Sequence, residues 1–338
     1  YNLYKGEALA LRAYLHFDLL RLFAPHIASK PKEEAIPYVK IYDALVTPFS
    51  TVEEAYGLVV RDLVEAESLM SADEDLFMYP RGYRVDRGFA TCREIHLNLY
   101  AVQALLARVF WMKGDMDHAL YYAKKVIDSE KFPLEDKLNL GEFVAGRISG
   151  KETIFGIYTT SALNSIKGAF YTYEQTKTWL PANDLVGCYT VPQEYGNDLR
   201  SNLWLRVPSS EDENKSRRCM KIVNEKKIVA PGEYSPAVGT IEGINLIRIP
   251  EMYLIAAEAL LDKDPEQAQA YFDALIEARG LVKYVDRADF RQLTMQDILD
   301  ERRREFLQEG QYFFTLKRQN ADLYIDALKK TEEGSDEM

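Results

Sequence analysis

Three cysteines in 338 residues, Cys92, Cys188 and Cys219, lie far apart and form no C-x-x-C pair. That excludes a zinc ribbon or a dense disulfide framework and reads as buried thiols. Their scarcity leaves the redox compartment open, because an extracellular chain with a good core can do without bridges. No apolar run approaches the roughly 20 residues that span a bilayer, and no charged-then-apolar leader precedes the first helical pattern. Basic runs are lacking too: the 42 Lys and Arg are scattered and the formal net charge is −11, so no electrostatic footprint for nucleic acid exists. The four histidines, His16, His26, His96 and His118, show no metal spacing. No G-x-G-x-x-G, Walker-type loop or G-x-S-x-G elbow occurs, and Cys92 with His96 reads as packing rather than as nucleophile and base. No catalytic residue, metal or cofactor is expected.

What is present is material for a core, with 47% apolar residues, arranged in repeated helix pairs. Ala107 precedes Ala119 by twelve positions, with Gly114-Asp115 at the turn between. Ala256 precedes Ala268 by the same twelve, with Asp264-Pro265 starting the second helix. Small residues at these offsets let paired helices approach closely, the packing of a tetratricopeptide (TPR) repeat. Trp111, inside the first pair, reads as core. Residues 6 to 23 are apolar nearly all round, with Leu9, Ala13, Phe17 and Leu20 on one side and Leu11, Leu15, Leu19 and Leu22 on the other, so this helix is expected to be buried. Residues 52 to 70 form its partner, opened by a Thr51/Glu54 capping box. Pro25, Pro31, Pro37 and Pro48 keep the intervening segment from being helical for long.

From about residue 140 to 246 the pattern changes. The alternating run Thr153 to Tyr158 predicts a strand, and Gly, Pro, Asn and Ser then recur with no sustained 3.6 period. The expectation is a mainly α chain: a TPR-like helical repeat solenoid over 1–139 and 247–338, with a loop-rich subdomain of short strands over 140–246. Aromatics concentrate in that excursion, two of the three tryptophans among them. Rings on loops suit a stacking platform, since a flat apolar face with a polar tip fits a sugar or peptide. They equally suit the small core of an irregular subdomain.

The stretch from Asp297 to Arg318 carries a helix with opposite charges densely interleaved and an aromatic cluster just past Gly310. Glu301, Glu305 and Glu309 form an i, i+4, i+8 stripe that raises acid–base chemistry. Arg302, Arg303 and Arg304 sit one to four positions away, so salt bridging is the expected role, in a helix that closes the solenoid.

Four ordered blocks resemble the SusD/RagB family of nutrient-binding proteins. They are Gly6 to Phe23 leading to Ile36-Pro37; Gly88-Phe89-Ala90-Thr91 leading into Ala104 to Gly114; Leu246 to Ala259; and Glu301 to Glu305 with Glu309-Gly310. Tyr312 and Thr315-Leu316-Lys317-Arg318 depart from the arginine and the later Asp-Leu the family commonly shows after the last block. The resemblance implies a lipoprotein on the outer face of a Gram-negative outer membrane, anchored through a cysteine upstream of Tyr1. Such a protein sits on a TonB-dependent transporter of SusC type, capturing a glycan and handing it down without covalent chemistry.

Within that frame Trp179, Trp204, Tyr173 and Tyr195 are the expected stacking residues, with Asn183 and Arg200 as partners for hydroxyls. The motifs around the last two, Leu180 to Leu185 and Asn197 to Arg200, also resemble structural elements of the family. A peptide-binding relative would use the same scaffold. A helical glycosidase would need two carboxylates within about 10 Å in a cleft, and a TPR adaptor would expose a concave helical groove.

Overall fold

The structure, a computed structural model, describes residues 1–41, 43–77, 89–135, 147–148, 151–161, 180–181, 188–206, 216–219, 221–222 and 241–321. Helix α1 (Asn2–Phe23) buries one face, Ala10, Ala13, Phe17 and Leu20. Its most extensive packing is on α2 (Val52–Leu69), whose N-terminus carries the expected box: Thr51 accepts from Glu54 N, and Glu54 accepts from Thr51 N at 2.9 Å. The opposite face corrects the expectation of a fully buried helix. Leu11, Leu15, Leu19 and Leu22 are 43–53% exposed, because α2 covers only one flank and no described element packs over the other. Between the two helices, the proline-rich segment forms a two-stranded antiparallel ribbon, β1 (Glu34–Pro37) on β2 (Phe49–Thr51). A short helix, α3 (Asp73–Leu76), follows.

The next pair, α4 (Leu99–Lys113) and α5 (Met116–Ile127), turns at Gly114, whose φ of 80° places it in the left-handed region, and restarts on Asp115, which accepts from His118 N. Ala107 and Ala119 have no exposure, so the twelve-residue spacing does mark a close helix–helix approach. Trp111 lies in the core, its Nε1 donating to Glu258 at 2.7 Å.

Short strands follow: β3 (Arg147–Ile148), β4 (Thr153–Tyr158), β5 (Leu180–Pro181), then helix α6 (Leu199–Trp204) running into β6 (Leu205–Arg206), β7 (Ser216–Cys219) and β8 (Ile241–Arg248). Strand β8 pairs antiparallel with both β3 and β4, Phe155 lying opposite Ile247; β7 pairs with β5 and β6. The alternating run from Thr153 thus forms its strand, with Ile154 and Phe155 buried against the main helical core.

Strand β8 leads directly into α7 (Ile249–Leu260), paired with α8 (Pro265–Ala278) across Asp264, which caps α8 by accepting from Gln267 N. Ala256 and Ala268 are fully buried, matching the first pair. The last helices of the described residues are α9 (Met295–Glu305) and α10 (Gln311–Arg318). The stretch expected as a single closing helix is therefore two. Gln308 at φ 63° and Gly310 at φ 71° are left-handed, a conformation that cannot continue an α-helix, and the break turns Glu309 back toward the strands.

Candidate functional site

The loop-rich unit meets the closing helices through charge. Arg200, at the start of α6, has no exposure. Its Nη1 donates to Glu301 at 2.5 Å and Glu305 at 2.9 Å, while Nε and Nη2 donate to Asp198, which also caps α6. Arg248, at the β8–α7 junction, donates to Glu152, Glu305 and Glu309. Arg279, past the end of α8, donates to Glu152 and Glu305. Lys221 pairs with Glu309, donates to the Glu305 carbonyl at 2.5 Å and lies 4.0 Å from the Trp204 ring centre. With Arg304 on Glu301, five carboxylates face five cations, a balance that burial demands because an unpaired interior charge is very costly.

The electrostatics follow from the geometry. Burial alone would raise Glu305, but Arg279 and Arg248 outweigh it and hold the carboxyl well below the usual carboxylate range. Glu301 is likewise lowered against its burial by Arg200 and Arg304. Burial would lower Arg200, yet Glu301 and Asp198 raise it well above its ordinary value. Glu301 and Glu305 are therefore held as anions, and Glu309 is ion-paired with Arg248 and Lys221. Among the described residues no group of three or more His, Cys, Asp or Glu is arranged to hold a metal ion.

The expected ligand residues divide. Trp204 is 1% exposed, packed with Tyr189, Leu205 and Cys219 in a small cluster and facing Lys221. It is a core ring and cannot stack on a ligand from there. Arg200 is consumed by three carboxylates and has no donor to offer a hydroxyl. Tyr195 is half-buried at the rim, with the Arg287 guanidinium 4.6 Å from its ring centre and its hydroxyl pKa raised by a hydrogen bond with Asp289. Trp179, Tyr173 and Asn183 lie outside the described residues. Of the six, the structure brings Trp204 and Arg200 together, as scaffold.

A surface that sequence reasoning missed lies at the start of α1. Tyr4 and Phe89 stack with ring centres 4.0 Å apart, beside an open cavity of about 570 Å³ that Tyr1, Asn2 and Ala90 also line. Phe89 stood in the Gly-Phe-Ala-Thr block but nothing in the sequence linked it to Tyr4, 85 positions away. The described aromatic rings thus gather at more than one place on the surface.

A family model described as the SusD family matches residues 152–336, and one described as "Starch-binding associating with outer membrane" matches residues 1–84. No curated protein matches the chain. Among solved structures, a SusD superfamily protein from Bacteroides thetaiotaomicron is 22% identical with a TM-score of 0.72 over 98% of this chain and 72% of its own. A laminarin-binding SusD-like protein is 19% identical with a TM-score of 0.61, over 93% of this chain and 70% of its own. A structure solved with a xylogluco-oligosaccharide is 16% identical with a TM-score of 0.62, over 93% and 65%. At these identities the likeness is one of fold, and these proteins are longer than this chain. The SusD model alone covers more than half of the sequence, from the strand unit to the closing helices: the chain belongs to the SusD family.

Proposed function

We propose that this protein binds glycans at the cell surface and delivers them to a TonB-dependent SusC-type transporter, held at the outer membrane by a lipid anchor. In this reading residues 1–139 and 247–338 supply the helical scaffold, and residues 140–246 present Trp179, Tyr173, Tyr195 and Asn183 to the ligand. The observation that carries the reading is the pair of family matches, SusD over 152–336 and starch-binding at the outer membrane over 1–84. The laminarin-binding relative and the one solved with a xylogluco-oligosaccharide support a glycan as the ligand class. The ion-paired state of Glu301, Glu305 and Glu309 favours capture over hydrolysis.

A polysaccharide panel including starch, laminarin and xyloglucan tests this, read by gel retardation together with product analysis. Retention by at least one glycan without release of shorter sugars is expected. Absence of retention across the panel with binding to peptides would overturn the ligand class, and glycan cleavage would overturn the capture role.

A further inference from the structure

Strand β4 of the loop unit shares the main apolar core through Ile154 and Phe155, whereas the part around α6, β6 and β7 has a small cluster of its own and meets the closing helices mainly through polar contacts. Its own buried cluster is Tyr189, Trp204, Leu205 and Cys219, with Leu307 packed against it. Val191 adds an apolar contact with the cluster of Ile298 and Phe306, and hydrogen bonds and ion pairs supply further ties. Tyr189 Oη donates to the Arg304 carbonyl at 2.8 Å, Arg304 donates to the Cys188 carbonyl, and Gln308 Nε2 donates to the Cys219 carbonyl at 3.0 Å. Arg200 reaches Glu301 and Glu305, and Lys221 reaches Glu309 and the Glu305 carbonyl. A second seam combines backbone bonds with the Arg287 and Asp289 contacts of Tyr195: Val282 N donates to Tyr195 O, Leu199 N donates to Arg279 O, and Gly196 bridges Leu281.

Two cations from one side thus close on the carboxylates of one short segment, Glu301 to Glu309, on the other. Apolar contact is graded in area, whereas a buried ion pair is all or none, because either partner left alone is an uncompensated interior charge. The seam also reaches the loop surface directly. Tyr195, an expected ligand ring, is five residues from Arg200, and Trp204 packs its face on Lys221.

We infer that Arg200 and Lys221 are positioning residues for ligand binding: they latch the α6 and β7 part of the loop unit onto the Glu301–Glu309 segment and so fix Tyr195, the described ring expected to meet the glycan. Neither touches the ligand. The latch opens as a local unit, below the free energy of unfolding the α4 and α7 core, in the way cooperative segments of a fold open separately. The affinity consequence rests on the glycan-binding reading; the latch itself does not.

Hydrogen exchange by mass spectrometry on the full chain without ligand tests the latch. In Lys221→Met, peptides within 188–206 and 216–222 are expected to exchange at least tenfold faster, while α4 and α7 peptides stay unchanged. Lys221→Arg, which keeps the cation over Trp204, is expected to stay within threefold of the parent. Glu309→Gln is a milder break from the opposite side and reads the same peptides if Lys221→Met fails to fold. Unchanged exchange in those peptides, or equal acceleration in α4 and α7, overturns the inference. In a second arm, the glycan retained in the panel is expected to bind Lys221→Met at least tenfold more weakly, and the exposed-pair control Lys263→Met as tightly as the parent. Local acceleration with undiminished affinity would overturn the positioning role, while a panel that retains no glycan sinks the ligand reading and leaves the exchange result standing.

Discussion

Arg248 Nη1 donates to Glu305 Oε1 at 2.7 Å with neither side chain exposed to solvent. The pair joins the end of β8 to the last turn of α9 and sits at the middle of the network, Glu305 also receiving Arg200 and Arg279. Replacing Arg248 by Met leaves Glu305 and Glu152 short of a cation in the interior. Loss of one partner of a buried pair costs about 3–5 kcal/mol, so urea denaturation of Arg248→Met is expected to show a loss of that size. A loss below about 1 kcal/mol would place the pair among the weak surface bridges.

The two faces of α1 are expected to respond differently. Phe17→Ala removes a ring with no exposure and is expected to cost about 3–5 kcal/mol. Leu15→Ser, on the exposed flank, is expected to stay within about 0.5 kcal/mol in thermal melts of this chain. A large cost at Leu15 would show that its flank is covered in solution.

How far the sequence reached is clear from these residues. The helix pairs were legible because Ala107/Ala119 and Ala256/Ala268 record a local geometry, as do the caps at Thr51, Asp115 and Asp264. The outer leucines of α1 misled because apolarity signals that a face is suited to burial, without saying what buries it. The roles of Trp204 and Arg200 were hidden for a different reason. The acid partners Glu301 and Glu305 are 101 and 105 positions from Arg200, and pairing across that distance leaves no periodicity to read. The stripe at Glu301, Glu305 and Glu309 was legible as neutralised, but only in part by its neighbours: Arg304 reaches Glu301, while the cations on Glu305 and Glu309 come from other elements.

Gly196 carries a strict local requirement. Its φ of 93° and ψ of −162° lie in a region side chains avoid, and a Cβ there would come 2.6 Å from the Gly280 carbonyl oxygen. Gly196→Ala is expected to cost about 1–3 kcal/mol from the backbone conformation alone, read by chemical denaturation, with loss of the Gly196–Leu281 bridge seen in amide exchange. An unchanged midpoint would contradict this geometry.

Stability is expected to fall on acidification, in a defined window. Burial would raise Asp297, but hydrogen bonds from Arg291 and Thr294 prevail and hold it at about 2, below its ordinary 3.8. A carboxyl whose folded pKa is depressed contributes stability that is in place above its unfolded pKa and is lost as pH falls through the folded one. Asp297 therefore withdraws its contribution between pH 3.8 and about 2, and Glu301 and Glu305 begin to withdraw theirs below the ordinary 4.5. Melting temperature against pH is expected to drop below pH 4.5, with Asp297→Asn flattening the lower part of the curve. An Asp297→Asn curve parallel to that of the parent would contradict the assignment.

The most direct test of the account is titration of a glycan retained in the panel against Trp179→Ala and Trp204→Ala, with thermal melts of both. The account predicts that Trp179→Ala weakens binding at least tenfold without lowering the melting temperature. Trp204→Ala, which empties the ring site under Lys221, is predicted to lower the melting temperature by several degrees. Full affinity in Trp179→Ala, or an undiminished melting temperature in Trp204→Ala, would contradict it.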